Sequence, residues 1–462
     1  MSSRKLYKPS AGGRGKAHKP SAGGSRIVNK SSAGGNRNVH KSSAGGRNLH
    51  KSQANSGRDS VSEKDEKFKK TITVLFWIIT LIYGGLCLYL YYKQSIQPAV
   101  KDTTMVRVFE SDLPFHISMV VDDGWYYSLT AIIYLLLYKM AGRTTVLIAV
   151  FLALVSVGTV LVTEKLLRVL GVKYKALSCG GAIILNMLMP FYIKWAGAYR
   201  YISYQSGNVW HNSTYQCMKL AALLCLWLFL VIDKKAISKG IGIKEWLYFA
   251  IALAVCTAIK PSFLTIFAPA FAVKLLINWL KDKVPFKRIF IWGITVLPAC
   301  GVMLWQNSVL FGAETENGFT ISFMKAFSNN SNHPKVTVLL SLAFPMVVFI
   351  CYAVDRVRSG GFKKIFEDRV YMFSIVMALV GFAEAALLVE TGSRSQDGNF
   401  LWGYAIALFW LYSVSFVKWS AMLVKRKWLL AGAGGLVLAY QYYCGIRFFS
   451  MLMVGITYFM NF

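Results

Sequence analysis

From residue 71 onward, the chain alternates long apolar segments with short polar ones. Several apolar segments approach the roughly 20 residues that an α-helix needs to cross a bilayer. The pattern therefore predicts an all-α, polytopic membrane protein with about eleven transmembrane helices in a domain spanning 71–462. The predicted spans are Thr71–Tyr91, Thr145–Val162, Leu177–Ile193, Cys217–Ile232, Trp246–Ala258, Phe263–Leu280, Ile289–Trp305, Val336–Val354, Tyr371–Val389, Leu401–Val417 and Leu429–Tyr443.

A twelfth apolar run, Tyr126–Tyr138, is too short for a perpendicular span, and charge indicates where it lies. If it does not cross and the N-terminus is cytoplasmic, five short loops with 21 Lys and Arg residues face the cytoplasm. These loops are 163–176, 233–245, 281–288, 355–370 and 418–428. The positive-inside rule favours this topology. We therefore predict that the run is an amphipathic or re-entrant helix at the outer interface, within the first outer loop.

This topology places five polar segments on the predicted outer side. They are the loops 92–144, 194–216, 306–335 and 390–400 and the tight turn 259–262. The three histidines outside the N-terminal tail, His116, His211 and His333, all fall in them. The predicted outer side thus gathers every non-tail imidazole on one face of the membrane.

Residues 1–70 form a basic tail with 17 Lys and Arg against 4 Asp and Glu. Its KPSAGG and KSSAGG repeats recur every eleven residues from residue 8 and contain almost no apolar positions. Such a composition buries too little apolar surface to offset the loss of chain entropy on folding, so we expect a disordered cytoplasmic tail. It is either a solvated leader or a contact for anionic lipid headgroups, and no interleaved aromatics support nucleic-acid binding.

Two further features limit the class of protein. The first apolar run begins too far from residue 1 for a secretory signal peptide. The eight cysteines lie in or beside apolar segments without a C-x-x-C pair, so we expect packing thiols rather than disulfides or a metal site.

Four outer segments carry residue types suited to chemistry. Taken singly, each is equally consistent with a solvated loop, an interfacial aromatic or a snorkelling lysine. Their convergence on one side of the membrane is what points to an active site at the membrane surface. The candidates are Glu110, Asp112 and His116 in FESDLPFHI; Trp210, His211 and Asn212 in GNVWHNSTYQ, with Arg200 before them; Lys260 in the Ile-Lys-Pro-Ser turn; and Glu390, Arg394, Asp397 and Asn399 in ETGSRSQDGNFLWG.

Asp122 and Asp123 form an adjacent acid pair in the first outer loop. A carboxylate pair can hold a divalent cation together with phosphate oxygens. The pair lacks D-x-D spacing and adjoins the interfacial helix, so the sequence predicts no metal site. If the protein does bind a divalent cation, Mg²⁺ or Mn²⁺, Asp122 and Asp123 are the candidate ligands.

The order of these elements resembles the GT-C superfamily of integral-membrane glycosyltransferases, which use lipid-phosphate-linked sugars. The resemblance covers about residues 71–440. The first span leads to a long outer loop with an acid, Asp112, followed by the interfacial helix DGWYYSLTAIIYLLLYKMAGR and a span with a basic inner end, EKLLRVLGVKYK. NMLMPFYIKW ends a later span at a proline, and AVCTAIKPSFLTIFAPA resembles the family's Lys-Pro segment. SDLPFHI, GNVWHNSTY and DGNFLWG resemble an uncharacterised bacterial branch.

The resemblance implies an enzyme of the bacterial cytoplasmic membrane. It would transfer a hexosyl or pentosyl unit from a polyprenyl-phosphate donor to an extracytoplasmic acceptor, a cell-envelope glycan or glycopolymer. Asp112 would be the general base, with Glu110 as the alternative and His116 as a residue that orients the acid or binds the sugar. The expected substrate contacts are Lys260, Arg200 and Arg394 at the donor phosphate; Trp210, His211, Asn212 and Asn399 at the sugar; and Glu390 and Asp397 beside them.

Three alternatives stay open at the level of sequence. They are a polytopic glycan polymerase or ligase, a transporter or flippase of lipid-linked saccharides, and a scaffold without catalysis whose loops only form a binding surface. Transporters usually carry internal repeats and ionisable residues near the midplane. The membrane segments show no convincing repeat, and Glu384, the main acid within a span, is predicted near the outer end, so the pattern favours an enzyme.

Overall fold

The computed structural model describes residues 47–99, 108–197, 201–311, 318–392 and 398–457, with side chains from residue 65 onward. Its contacts divide the chain into two units, Met1–Ser62 and Glu63–Phe462. A helix already begins at Arg47, so residues 47–70 are helical where disorder is expected. Glu63 and Glu66 each precede a lysine by four residues, which favours a helix. Residues 1–46 lie outside the described residues, and their disorder stays a prediction.

The described part is nearly all α-helical, as the hydrophobic pattern predicts. Its helices are α1 Arg47–Ser95, α2 Leu113–Val121, α3 Leu129–Met140, α4 Val146–Val169, α5 Lys175–Leu185, α6 Ser213–Ser238, α7 Ile243–Ile259, α8 Ser262–Leu280, α9 Phe286–Gly293, α10 Leu297–Phe311, α11 Lys325–Ser328, α12 Pro334–Ser341, α13 Ala343–Gly360, α14 Arg369–Leu387, α15 Leu401–Val424 and α16 Trp428–Met453. Short 3₁₀ turns occupy Ile294–Val296 and Phe362–Glu367. One small antiparallel sheet pairs β1 (Phe319–Ile321) with β2 (Leu388–Glu390).

Among the described residues, eight helices are long and apolar enough to cross a membrane, and a bent pair raises the number to at most nine. The chain is therefore a multi-pass membrane protein, but the predicted count of about eleven is not confirmed. The eight are Asp65–Ser95, Val146–Val169, Ser213–Ser238, Ser262–Leu280, Phe286–Leu310, Arg369–Leu387, Leu401–Val424 and Trp428–Met453.

Three predicted spans differ from expectation for local reasons. In Leu177–Ile193 the helix α5 ends at Leu185 after 11 residues, because Asn186 caps it and Pro190 follows. In Trp246–Ala258 the helix α7 has 17 residues and ends before Pro261. In Val336–Val354 the helices α12 and α13 meet at an angle of 59°. In Leu177–Ile193 the apolar run thus overstates the length of continuous helix, because an amide and a proline interrupt it.

Helix α15 lies at the centre of the bundle. It is buried on all sides, with 78% of its apolar window inside the protein, against 22% for α1. A helix that is apolar around its whole circumference is typical of a buried position. Helices α8, α13, α14 and α16 pack around it. Gly445 lets α16 pack closely against the segment that follows α5, because a Cβ at this position would lie 1.5 Å from the Met187 carbonyl oxygen.

Helix termini gather at two ends of the bundle. We call one the site end, marked by Ser95, Thr145, Ser213, Lys260, Leu387 and Leu401. We call the other the basic end, marked by Val169, Ser238, Leu280, Arg369 and Val424. From α6 onward, the long helices run alternately between these ends.

Helix α3 occupies the position of the short run Tyr126–Tyr138. It begins after Ser128, whose Oγ accepts a hydrogen bond from the Ala131 N–H at 3.1 Å. At 12 residues it is too short to cross on its own. The Oγ of Ser95, at the end of α1, lies 2.8 Å from the Oγ1 of Thr145, at the start of α4. The chain between them thus leaves and returns at the same end, as a non-crossing helix requires.

Candidate active site

Asp112 precedes α2 and is tied to the segment before α6. Its backbone N–H donates to the His211 carbonyl oxygen at 2.9 Å, and its Oδ2 accepts from the Asn212 Nδ2 at 2.7 Å. Asn212 is also the N-cap of α6, and its Oδ1 accepts from the Tyr215 N–H at 2.8 Å. Because the cap fixes the amide oxygen, the amide nitrogen is held toward the Asp112 carboxylate. Asn212 thereby orients the predicted base.

Lys260 lies in the turn between α7 and α8 and reaches the same cap. Its Nζ donates to the Thr214 Oγ1 at 3.1 Å, and the Thr214 hydroxyl in turn donates to the Asn212 Oδ1 at 2.9 Å. Asp112, Asn212, Thr214 and Lys260 therefore form one continuous chain of hydrogen bonds, which we call the acid–lysine chain. It connects three separate loops at the site end.

The fourth predicted segment joins through Trp402. The Lys260 Nζ lies 5.5 Å from the centroid of its indole ring, a cation–π distance. The same ring is 5.7 Å from the His211 ring, and its Nε1 donates to the Asn399 Oδ1 at 3.2 Å. The Asn399 Nδ2 donates to the Glu390 Oε2 at 2.7 Å. All four segments predicted to meet are thus brought together.

His116 borders a depression beside the acid–lysine chain. Its Nδ1 lies 3.2 Å from the Ser213 Oγ. The depression runs between α2, α3 and the start of α6. Its lining is His116, Met119, Trp125, Tyr127, Ser128, Ala131, Tyr134 and Thr214. Aromatic side chains with a few hydroxyls suit an amphipathic ligand such as a sugar.

His211 is buried between the acid and the cation. Burial lowers the pKa of its imidazole; the Asp112 carboxylate raises it, and the Lys260 ammonium lowers it further. The balance favours a neutral imidazole at neutral pH. His211 is thus a neutral spacer between two charged groups rather than a third charge.

Glu384 lies in the last turn of α14, close to the site end, as predicted. Both of its carboxylate oxygens lie 2.9 Å from the Thr265 Oγ1 of α8. A Cβ on Gly403 would lie 3.4 Å from the Glu384 Oε2 and 3.0 Å from the Ser262 carbonyl oxygen. Glycine at 403, next to Trp402, therefore lets α8, α14 and α15 approach closely beneath the site.

Three residues predicted to bind the sugar have other contacts. Trp210 is 1% exposed, and its Nε1 donates to the Tyr83 hydroxyl at 3.2 Å. Its rings pack on Phe448 and Phe449. The structure gives Trp210 a packing role, because the ring offers no open face to a ligand. The amides of Asn212 and Asn399 form hydrogen bonds with neighbouring protein groups, and their contact with a sugar stays a prediction.

The remaining candidates fall into two groups. Glu110 is half-buried next to Asp112, and Asp122 and Asp123 are exposed at the end of α2. Arg200, Arg394 and Asp397 lie outside the described residues. Within the described part of the chain, no group of three or more His, Cys, Asp or Glu side chains could hold a metal ion. A requirement for Mg²⁺ or Mn²⁺ stays an open prediction.

Sequence reasoning missed Ser213 and Thr214 as site residues, and it counted Trp402 in the fourth candidate segment without giving it a role. Thr214 links the lysine to the cap, and Trp402 lies against both Lys260 and His211. The signal for Thr214 was present in the N-S-T order of GNVWHNSTYQ, because an asparagine cap places the second residue after it within reach of the cap oxygen.

No family model and no curated protein matches this chain. Among solved structures, the chain is similar to the crystal structure of the Archaeoglobus fulgidus oligosaccharyltransferase in complex with Zn and sulfate. The match has a TM-score of 0.40 and 11% identity over 83% of this chain, and this chain spans 53% of the length of that one. At this level of similarity, a function has to be argued from the residues of the site.

Proposed function

We propose that the protein is a membrane glycosyltransferase that moves a sugar from a polyprenyl-phosphate donor to a hydroxyl acceptor at the site end, on the extracytoplasmic face. The observation that carries the proposal is the acid–lysine chain. It holds a carboxylate and an ammonium group near each other where the membrane-spanning helices end. A lipid-linked phosphate lies at the same depth, because its isoprenoid stays in the bilayer.

Asp112 is the proposed base. The acceptor oxygen attacks the anomeric carbon, its proton passes to the carboxylate, and the bond from that carbon to the phosphate oxygen breaks. Asn212 holds Oδ2, and no hydrogen bond to Oδ1 is present among the described residues. One oxygen therefore fixes the carboxylate while the other is free for the acceptor hydroxyl.

Lys260 is the proposed partner of the leaving phosphate. Polyprenyl phosphate gains negative charge as the glycosidic bond breaks, and a preorganised cation stabilises that charge. Thr214 and the Trp402 ring hold the ammonium group in place before the substrate arrives. The aromatic depression beside Thr214 is the proposed location of the transferred sugar.

The test is transfer of a radiolabelled sugar from a short-chain polyprenyl-phosphate donor by the purified full chain. We expect Asp112→Asn to lower the rate by about 10²- to 10⁴-fold, since it removes the base and keeps the shape. Membrane insertion and melting temperature should be unchanged. Near-normal transfer by this variant would remove Asp112 from the role.

A matched variant separates the base from the metal alternative. Asp122→Asn changes an exposed carboxylate in the same loop, and full activity is expected unless the acid pair binds a cation. Transport is distinguished by a second assay: a chain that moves lipid-linked saccharide across vesicles but transfers no sugar would favour the flippase alternative.

A further inference from the structure

Strand β1 and the two residues after it alternate strictly between apolar and polar side chains. The order is Phe319, Thr320, Ile321, Ser322 and Phe323. Alternate residues of a strand point to the same side. The three apolar side chains, which we call the apolar strand face, are 69%, 78% and 71% exposed. A strand in water buries its apolar side, whereas all three residues of β1 are exposed and its apolar side chains are left uncovered.

Its position relative to the bilayer follows from the pairing with β2. Strand β2 continues directly from α14, and Ile321 pairs with Leu388 while Phe319 pairs with Glu390. Beyond the strand, the Ser322 N–H donates to the Leu387 carbonyl at 2.8 Å and the Met324 N–H to the Ala386 carbonyl at 2.6 Å. Phe323 therefore lies beside the last turn of α14, and Phe319 lies farthest from it.

The length of α14 locates that last turn. Its 19 residues rise about 28 Å, close to the roughly 30 Å of a hydrocarbon core. The end of α14 therefore lies at the boundary between acyl chains and headgroups. Phe323 is at that boundary, and the hairpin extends outward from it.

The charge of the hairpin is compatible with lipid. No charged residue occurs from Gly318 to Met324. Glu390 is the one charged residue of β2, and it is buried and accepts from the Asn399 amide. Inserting the apolar strand face into the interface thus requires no desolvation of a charge.

We propose that the apolar strand face inserts into the lipid leaflet at the site end. Helix α14 also exposes the apolar side chains of Leu379 and Leu387, and its length matches the hydrocarbon core, which makes the leaflet the partner that this face fits. Through Glu390, Asn399 and Trp402 the hairpin is linked to Lys260. The insertion would hold the site at the depth of the headgroups.

The test uses the full chain in vesicles of phosphatidylcholine and phosphatidylglycerol. Single cysteines at 319, 321 and 323 carry a spin label, and collision with oxygen is compared with collision with a water-soluble nickel chelate. Thr320→Cys, on the opposite face of the strand, is the matched control, and the labelled unsubstituted chain corrects for native thiols. We expect depth to decrease from 323 to 321 to 319, in steps of at most about 7 Å, while position 320 stays accessible to nickel.

Nickel access at 321 and 323 equal to that at 320 would overturn the proposal. A second measurement, made without a spin label, excludes the possibility that the label itself disturbs the fold. Ile321→Asp should lower the melting temperature in vesicles, and Thr320→Asp should leave it nearly unchanged. Equal, small effects of the two variants would also overturn it. Neither measurement depends on catalysis, so this inference and the proposed function fail separately.

Discussion

The acids at the two ends of the bundle have different partners. At the basic end, Glu164 pairs with Arg168 at 2.9 Å and with Lys175 at 3.3 Å. Asp233 pairs with Lys274 at 2.7 Å. Further ion pairs there are Lys235–Glu245, Arg369–Asp282, Lys418–Asp368 and Lys427–Asp355. Acids at this end are thus largely neutralised by neighbouring cations.

At the site end, two acids accept hydrogen bonds from neutral donors. Asp112 accepts from an asparagine amide and Glu384 from a threonine hydroxyl. Within the described ranges, neither forms an ion pair. An ion pair offsets the charge of a carboxylate, whereas a hydrogen bond from a neutral donor orients the carboxylate without offsetting its charge. The comparison teaches that the acids of the basic end are neutralised by cations, whereas Asp112 and Glu384 at the site end keep neutral partners, as the proposed function requires of a base.

Replacing one lysine at each end gives the largest expected contrast. Lys260→Met should lower sugar transfer by about 10²- to 10³-fold, the usual cost of losing a preorganised charge, with little change in melting temperature. Lys274→Met should instead destabilise the protein by about 1–3 kcal/mol, because it leaves the half-buried Asp233 carboxylate with the Trp292 N–H but without its cation. Transfer rates and thermal unfolding of the same two preparations measure both effects.

A double variant provides the control for the basic end. Lys274→Met combined with Asp233→Leu should recover much of the stability, because both half-buried charges are removed together. If Lys260→Met unfolds the protein as readily as Lys274→Met, the two ends do not differ in the way described.

Thr214 tests whether the acid and the lysine act through one network. Thr214→Val keeps the shape of the side chain but removes the hydroxyl between Lys260 and Asn212. The expected loss of transfer is about tenfold, equivalent to about 1.4 kcal/mol for one hydrogen bond to a charged group. Thr214→Ser keeps the hydroxyl and should retain most of the activity. Equal losses in the valine and serine variants would indicate a packing effect of the methyl group instead.

Much of this arrangement could be predicted from hydrophobic pattern and charge. The pattern placed Asp112, Asn212, Lys260 and Asn399 at one end, because each follows or precedes an apolar helix of known direction. The pattern could not predict which side chains contact each other, since these contacts depend on side-chain geometry. Trp210 and His211 are neighbours in sequence, yet one packs in the core and the other faces Trp402.

Lys219 shows the same limit inside a span. It lies six residues into α6 and is 2% exposed. Its Nζ donates to the Asn208 Oδ1 at 2.6 Å and lies 3.8 Å from the centroid of the Phe409 ring. A lysine near a helix end ordinarily snorkels to the interface. Here the amide of Asn208 and the Phe409 ring of α15 contact the amine inside the bundle. No local pattern in the sequence predicts contacts between residues that are so far apart along the chain.

The smallest expected effect concerns pH. Burial holds the pKa of His211 below its ordinary value of 6.5, so the unfolded chain takes up the proton first as the pH falls. The contribution of His211 to stability is therefore complete above pH 6.5 and declines below it, by less than about 1.4 kcal/mol per pH unit. Melting temperatures of the native chain and of His211→Gln, measured from pH 8 to pH 5.5, isolate the contribution of His211, because the other histidines titrate in both proteins. The native chain should lose more stability on acidification than the variant. Parallel curves would mean that His211 is accessible to protons in the folded protein, and that it does not separate the acid from the lysine as a neutral group.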